Sequence, residues 1–183
     1  MKTLKQFDLG MLNLAFDQAK KSPANKRKVG TVIVDMSTES VIASGYNKMF
    51  ENLWQASCEN EDGESYECVM HAEESAIIQL LHNKNFTETF SKRRKVLYAT
   101  YSPCMNCCKL IAHAGIERLV YAEEHRVNFI SEEVKDGYSP KQFLIKMGIE
   151  VTKYDKKDVF NEVVTQSKKS GQINKLKPTP RFR

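Results

Sequence analysis

The chain has 183 residues, 41% hydrophobic and 28% charged, and this composition excludes the disordered and fibrous classes. No run approaches the roughly 18 apolar residues that a membrane-spanning helix needs. The net charge of +5 is concentrated at one end, because the last sixteen residues hold six basic residues and no acidic one, which leaves −1 for the rest. We therefore predict one folded domain over 1–167 and a basic, flexible tail over 168–183.

The first third of the chain predicts a helix followed by a hairpin and a long loop. Apolar residues at helical spacing predict the helix over 4–20, and two β-branched runs at 29–35 and 40–47 predict the hairpin. Residues 48–69 show no clean period and include an acidic, turn-like stretch at 59–67. A loop of this length inside a compact domain is usually functional or disordered.

The remainder alternates helices with strands. The predicted elements are a helix over 71–81, a strand over 95–101, a helix within 102–115, a strand over 118–122, a helix within 139–148, a strand over 149–154 and a helix over 155–168. Pro103 marks the start of one of these helices and Gly115 its end. A strand pair followed by this alternation predicts an α/β fold, with a mixed sheet and helices on its faces.

Four residues with metal or acid–base chemistry stand at the starts of two predicted helices. Cys104 and Cys107 are three apart, so both thiols project from one helix face, where the partial positive charge of the N-terminus favours thiolates. His71 and Glu73 are two apart and can reach one point only at a first turn, with the small Ala72 between them. Two thiolates and one imidazole suit Zn²⁺, and a fourth, open position is typical of catalytic sites.

The combination of H-x-E with P-C-x-x-C is the signature of zinc-dependent nucleobase deaminases. We predict that His71, Cys104 and Cys107 bind one Zn²⁺ and that Glu73, which is not a ligand, carries protons. A different hypothesis is a catalytically inactive relative that uses zinc only to hold its fold or bind partners. Glu73 argues against it, because a structural site has no need of that carboxylate.

The segments GTVIVD, GYN, HAEESAI and LYATYSPCMNCCKLIAHAGIERLVY resemble the deoxycytidylate deaminase family, roughly over residues 5–155. The resemblance implies a cytidine-deaminase-like, three-layer α/β/α sandwich around a mixed five-stranded sheet. It implies hydrolysis of dCMP to dUMP and ammonia, which feeds thymidylate synthesis: hydroxide attacks C4 of cytosine while Glu73 protonates N3. It also implies a homo-oligomer, often hexameric in the family, that dCTP activates and dTTP inhibits.

The same resemblance assigns four substrate contacts. Asn47 would contact the sugar 3′-hydroxyl, the Ala72 amide and the Ser102 carbonyl would hold the base, and Tyr121 would line the pocket. A 5′-phosphate needs cationic donors, for which we consider Arg27, Lys28 and Arg126.

The loop after Asn47 departs from the family, which usually continues into a Gly-Pro-Gly loop that ends in a cysteine. Here the continuation is KMFENLWQASC, without glycine or proline. Phe50 and Trp54 could stack on a ligand or could form a satellite core under the loop, and we favour the satellite core.

Three cysteines remain outside the predicted zinc set. Cys58 and Cys68 flank the acidic stretch, where some relatives carry a second, structural zinc, and these thiols could supply half of such a site. We favour two separate reduced cysteines. Cys108 follows a ligand directly and is turned roughly 100° away from the metal, so we predict that it belongs to the core.

The first 21 residues lack the apolar centre of a signal peptide, so we expect a cytoplasmic protein in a reducing compartment. Neither a membrane nor nucleic acid is an expected partner. The alternative within enzymes is a deaminase of a polynucleotide, such as tRNA or single-stranded DNA or RNA, that grips phosphates with the basic tail.

Overall fold

The structure is a computed structural model that describes residues 3–50, 52–53, 57–83, 93–124, 129 and 137–162. Its elements in chain order are α1 (Leu4–Ala19), β1 (Gly30–Asp35), β2 (Ser40–Tyr46), α2 (Ala72–Leu81), β3 (Lys95–Tyr101), α3 (Met105–His113), β4 (Arg118–Glu123), α4 (Pro140–Lys146), β5 (Glu150–Lys153) and α5 (156–162). These elements confirm the predictions, with ends shifted by a few residues. The end of the last predicted helix and the whole basic tail lie outside the described residues.

The five strands form one mixed sheet in the order β2-β1-β3-β4-β5. β1 is antiparallel to both β2 and β3, whereas β3, β4 and β5 are parallel to one another. The start of β1 and the ends of β2 and β3 therefore meet at one edge of the sheet. This edge gathers the segment before β1, Asn47 and the Ser102–Cys104 segment, although they are distant in sequence.

Two apolar clusters lie on opposite faces of the sheet. In β3, Leu97 and Ala99 belong to the cluster that includes residues of α2, α3 and α4. Val96 and Tyr98 belong to the other cluster, which packs under α1 and α5. This alternation confirms the three-layer α/β/α sandwich. No helix in the described ranges is long and apolar enough to cross a membrane.

A buried ion pair fastens α1 to the sheet. The guanidinium of Arg118 donates to both carboxylate oxygens of Asp8, at 3.1 and 2.8 Å. The hydroxyls of Tyr98 and Tyr154 donate to the same carboxylate, at 2.8 and 3.0 Å. Because four hydrogen bonds satisfy its oxygens, the fully buried Asp8 is compatible with this interior.

Candidate active site

The site begins at the N-termini of two helices on the same face of the sheet. His71 is the N-cap residue of α2, with φ −73° and ψ 158°, and Cys104 is the N-cap residue of α3, with φ −77° and ψ 169°. Both residues have extended backbone, which is usual at an N-cap. The carboxylate of Glu74 accepts the His71 backbone N–H at 3.3 Å and so fixes the start of α2.

The imidazole and the two thiols of the predicted zinc set face one another. Nδ1 of His71 lies 3.6 Å from Sγ of Cys104 and 3.3 Å from Sγ of Cys107, and the three ligand atoms all lie within 4.8 Å of one another. Zn–S bonds of about 2.3 Å and Zn–N bonds of about 2.0 Å at tetrahedral angles would separate such atoms by roughly 3.5–3.8 Å. The donor set and its spacing therefore fit zinc.

The two thiols differ sharply in acidity. Hydrogen bonds from Cys107 and His71 lower the pKa of Cys104 to about 3, against the opposing effect of burial. The pKa of Cys107 is raised by its hydrogen bond to Cys104, by burial and by the nearby Glu73. A divalent cation held by these side chains would supply the positive charge that allows both thiols to lose their protons.

Glu73 lies beside this ligand set in the first turn of α2 and is only 4% exposed. Burial raises its pKa, and the charges of Cys104 and His71 act on it in opposite directions. A carboxyl group in such surroundings is suited to accept a proton and return it, because its neutral form is favoured. The extended backbone of His71 lets both side chains lie at the same helix start.

The position of this helix start depends on Gly45 in β2. A Cβ atom at Gly45 would overlap the carbonyl oxygen of Ala72 and the amide nitrogen of Ala76. The backbone of α2 therefore contacts the strand directly, with no side chain between them. This close contact fixes the depth at which His71 and Glu73 enter the site.

A cavity of about 590 Å³ opens in front of these residues. Its walls come from the two helix starts, from the edge of the sheet and from two loops. The lining residues are Lys26, Arg27, Val29, Asn47, Cys58, Glu59, Ser65, Tyr66, Val69, His71, Ala72, Glu73, Tyr101, Ser102 and Cys104. This volume lies within the usual range for small-molecule sites.

Three of the four substrate contacts implied by the resemblance lie in the cavity wall: Asn47, Ala72 and Ser102. The amide of Ala72 belongs to the first residue of α2 and has no partner within the helix by position. Tyr121 is not part of the lining. It is 2% exposed, belongs to the core cluster under α2, α3 and α4, and donates its hydroxyl to Glu124 at 3.1 Å.

The three candidate phosphate ligands have different locations. Arg27 lines the cavity. Lys28 does not, and its ammonium group instead donates to the Ser22 carbonyl at 2.9 Å. Arg126 lies outside the described residues. Lys26, which was not among the predicted phosphate ligands, also lines the cavity and adds a second cation beside Arg27.

The favoured interpretation of the loop after β2 is wrong for Phe50. A satellite core exists there, built on Ala24, Met49 and Cys58. Phe50 is not part of it but is 50% exposed, which corrects the favoured interpretation, and Trp54 lies outside the described residues.

The three cysteines outside the predicted zinc set differ in how far they are buried. Cys58 is buried and Cys68 exposed, whereas Cys108 is fully buried in the main core, as predicted. Among the described residues, the only metal-binding group of three consists of His71, Cys104 and Cys107. Neither Cys58 nor Cys68 belongs to it.

Several lining residues were not predicted from the sequence, chiefly Lys26, Glu59, Tyr66 and Tyr101. Glu59 belongs to an acidic stretch that is typical of a solvated turn, so its type alone gave no signal. Tyr101 directly precedes Ser102, and this proximity to a predicted contact was the signal that could have identified it. The irregular loop itself supplies Cys58, Glu59, Ser65, Tyr66 and Val69 to the cavity wall, and its role in function stays a prediction.

Residues 5–123 match the family model of the cytidine and deoxycytidylate deaminase zinc-binding region. Deoxycytidylate deaminase of Saccharomyces cerevisiae is 31% identical over 147 residues, which cover 75% of this chain and 45% of that protein. Deoxycytidylate deaminase of Homo sapiens is 32% identical over 117 residues, or 61% of each chain. The chain thus spans between about half and three-fifths of the length of these curated relatives.

Among solved structures, the fold resembles dCMP deaminase from the cyanophage S-TIM5, which was crystallised with dCMP and dUMP. The superposition has a TM-score of 0.70 at 25% identity and covers 84% of this chain and 100% of that one. Because this superposition covers 84% of the chain, the likeness extends beyond residues 5–123, the segment that matches the family model.

Proposed function

This chain belongs to the cytidine and deoxycytidylate deaminase zinc-binding family, and on this premise we propose that it hydrolyses dCMP to dUMP and ammonia. His71, Cys104 and Cys107 are the proposed zinc ligands and Glu73 the proposed proton carrier. The observation that carries the proposal is the grouping of one imidazole and two thiols within 4.8 Å of one another, beside a cavity that His71, Cys104 and the buried Glu73 line. The dCMP deaminases among its relatives give the substrate.

When bound, zinc supplies the Lewis acidity that makes hydroxide available at neutral pH. Glu73 takes one proton from the attacking water and delivers it to N3 of the cytosine ring, while oxygen bonds to C4. Glu73 then takes the second water proton and passes it to the 4-amino group, which leaves as ammonia. The carboxylate is restored, and the atoms balance as dCMP plus water giving dUMP plus ammonia.

The proposed binding of the base uses backbone groups at the two helix starts. The Ala72 amide donates to the base, and the Ser102 carbonyl accepts from its amino group. Ser102 is held because its own amide donates to the Glu123 carbonyl at 2.8 Å. Asn47 is the proposed contact of the sugar, and its side chain is fixed by the backbone of Arg27 and Val29.

Lys26 and Arg27 are the proposed ligands of the 5′-phosphate, because they place two cations in the cavity wall. The proposal replaces Lys28 with Lys26, since the Lys28 ammonium already donates to Ser22. The contacts proposed for the nucleotide all lie in the cavity wall, so the proposal assigns no role to the basic tail. A polynucleotide deaminase that holds phosphates with residues 168–183 would, in contrast, need the tail for substrate binding.

Two further properties belong to the proposal through the family resemblance: assembly into a homo-oligomer, and control by dCTP and dTTP. The cytoplasmic location expected from the N-terminal sequence belongs to it as well. The five cysteines, all of them free thiols, agree with a reducing compartment. Sedimentation of the zinc-loaded protein with and without each triphosphate tests assembly and effector binding together.

A substrate panel tests the proposed function directly. Zinc-loaded protein is assayed for ammonia release with cytidine, deoxycytidine, CMP, dCMP, dCTP, C5-modified dCMPs and single-stranded oligonucleotides. We expect the highest kcat/KM with dCMP, and unchanged dCMP turnover after deletion of 168–183. Oligonucleotide turnover that disappears with the tail would replace the proposal by the polynucleotide hypothesis. Zinc binding with no turnover of any substrate would favour the hypothesis of a catalytically inactive relative that uses zinc only to hold its fold or bind partners.

A further inference from the structure

Glu59 is a buried acid in the wall of the cavity, and the zinc chemistry does not use it. Its side chain is 8% exposed and lies in the loop between β2 and α2. One carboxylate oxygen accepts the backbone N–H of Asn25 at 2.9 Å, and the other accepts that of Lys26 at 3.2 Å. The Ser57 hydroxyl donates to the first oxygen at 3.0 Å. Glu59 thus joins its loop to the segment before β1.

Asn47 holds the same segment from its other end. Its side-chain oxygen accepts the Val29 backbone N–H at 2.8 Å, and its amide nitrogen donates to the Arg27 carbonyl at 2.8 Å. The orientation of this amide is fixed, because a flipped amide would place its NH₂ group against the Val29 N–H and its oxygen against the Arg27 carbonyl. Residues 25–29, the anion segment, are therefore held by Glu59 on one side of Arg27 and by Asn47 on the other.

The ionised form of Glu59 is the one that this arrangement stabilises. Burial alone would raise its pKa, but the amides of Asn25 and Lys26, the Ser57 hydroxyl and the Lys26 charge outweigh burial and lower it. A buried carboxylate is stable only when it is hydrogen-bonded or paired in this way. The charged carboxylate of Glu59 is thus stabilised by hydrogen bonds from two backbone amides of the anion segment.

We propose that Glu59 is a positioning residue that holds the anion segment so that Arg27 and Lys26 bind the 5′-phosphate of the substrate. This inference rests on the proposed function and assigns one residue to its substrate selectivity. Glu59 touches no reacting atom and acts through the backbone of residues 25 and 26. Its removal should therefore weaken binding of the phosphate-bearing substrate and leave the chemical step unchanged.

The sign of the effect separates positioning from simple electrostatics. A carboxylate near the substrate's phosphate repels it, so removing that charge should strengthen dCMP binding if Glu59 acts through its charge alone. Positioning predicts the reverse. Glu59→Gln is the suitable change, because glutamine keeps the size but places an NH₂ group where one of the two backbone donors needs an acceptor.

The first experiment measures steady-state kinetics of zinc-loaded Glu59→Gln with dCMP. We expect KM to rise about tenfold, which corresponds to one lost charge-assisted hydrogen bond of about 1.4 kcal/mol. We expect kcat and zinc content to equal those of the unaltered protein. Glu61→Gln is the matched control, because it removes a nearby charge of the same loop from an exposed residue that lies outside the cavity.

A double-mutant cycle with Arg27→Gln shows whether Glu59 acts through the anion segment. If it does, Glu59→Gln raises KM much less in the Arg27→Gln background than alone. Fully additive effects would show that Glu59 does not act through Arg27. A KM for dCMP that falls or stays unchanged in Glu59→Gln would overturn the proposal.

Product binding separates this inference from the proposed function. Calorimetry compares dUMP with deoxyuridine, which lacks the phosphate, for the unaltered and Glu59→Gln proteins. We expect Glu59→Gln to weaken dUMP about tenfold and leave deoxyuridine unchanged. The expected loss of dUMP affinity in a protein that does not deaminate dCMP would overturn the function alone. Equal weakening of both ligands, or no dUMP affinity in the unaltered protein, would overturn the positioning role.

Discussion

Glu73 and Glu59 are two buried glutamates in the wall of one cavity, and their surroundings shift their pKa values in opposite directions. Glu73 lies at the start of α2, where burial raises its pKa. Glu59 lies in a loop, where two backbone amides and the Ser57 hydroxyl outweigh burial and lower its pKa. One carboxyl group is therefore prepared to exchange a proton, and the other is prepared to keep its charge.

The difference reflects how the two walls are built. The wall that carries the proposed chemistry, the helix-start wall, holds His71, Glu73 and Cys104 at helix starts packed on the sheet, so its groups are placed by regular structure. The wall proposed to recognise phosphate, the loop-built wall, consists of residues 25–29 and the loop that carries Glu59, and side chains hold these two irregular segments together. Changes in the first wall should remove the metal or the chemical step, and changes in the second should alter substrate affinity.

The largest expected effect comes from the ligand at the start of α2. His71→Ala removes one of three zinc ligands, so we expect zinc content to fall to near zero and deamination to disappear. Elemental analysis after dialysis and an ammonia assay measure both. Cys68→Ser, which changes an exposed thiol outside the ligand set, should keep full zinc and activity. Full metal occupancy in His71→Ala would contradict the ligand assignment.

Glu73→Gln should separate metal binding from proton transfer. We expect zinc content and dUMP affinity to be retained while kcat falls by about 10²–10⁴-fold, because glutamine cannot carry the proton. Elemental analysis, calorimetry and steady-state kinetics measure these quantities. A kcat equal to that of the unaltered protein would remove Glu73 from the mechanism.

Gly45→Ala tests whether packing against β2 places the helix-start wall. The added methyl group overlaps the backbone of Ala72 and Ala76, so we expect a loss of about 1–3 kcal/mol in unfolding free energy together with a lower kcat. Gly10→Ala in α1 is the matched control, since its Cβ atom would meet no neighbour within 4 Å. That change should stabilise the protein by about 0.5–1 kcal/mol. Unchanged kcat in Gly45→Ala would show that the contact does not set the site.

In the loop-built wall, two neighbouring basic residues can be compared. Arg27→Gln should raise the KM for dCMP about tenfold with little change in kcat, because it removes a cation from the cavity wall. Lys28→Gln should change KM far less, since its ammonium group donates to the Ser22 carbonyl. Steady-state kinetics at two salt concentrations measure both. Equal effects of the two changes would indicate general electrostatic attraction instead of a specific contact.

The smallest expected effect is a pH dependence of stability. Because the pKa of Glu59 in the folded protein is below its usual value of 4.5, its hydrogen bonds stabilise the fold fully above that pH. This contribution is lost as the pH falls through the lowered pKa. We therefore expect the difference in unfolding free energy between the unaltered and Glu59→Gln proteins to be constant from pH 7 to about 4.5 and to shrink below.

Denaturant unfolding across this pH range measures the difference, and loss of zinc in acid affects both proteins alike. A difference that grows on acidification would contradict the assignment of the hydrogen bonds to an ionised Glu59.

The helix-start wall was predictable because its residues carry their own local signals. The mostly apolar run of β3, Pro103 near the start of α3 and Gly115 after its end define a strand and a helix without reference to the rest of the chain. The backbone at Gly115 is left-handed, with φ 66°, as its place after the helix predicts. The chemistry of one imidazole and two thiols then required His71 to approach Cys104 and Cys107. Local pattern and ligand preference were sufficient.

The loop-built wall was not predictable, because its contacts join residues that no local rule connects. Glu59 bonds to backbone amides 33 and 34 positions earlier, and backbone amides have no sequence signature. Phe50 was predicted wrongly for the same reason. An aromatic residue in a long loop suggested burial, but its side chain is exposed. Sequence-based prediction fails where tertiary contacts alone determine the position and burial of a side chain.

The unequal exposure of the cysteines allows a probe to be attached at one site in the loop-built wall. Cys68 is exposed, whereas Cys58, Cys107 and Cys108 are buried, and the metal would shield Cys104. A maleimide fluorophore added to the zinc-loaded protein should therefore label one position, in the same loop as Glu59. Its emission would report how that loop responds when a nucleotide enters, in real time and without turnover.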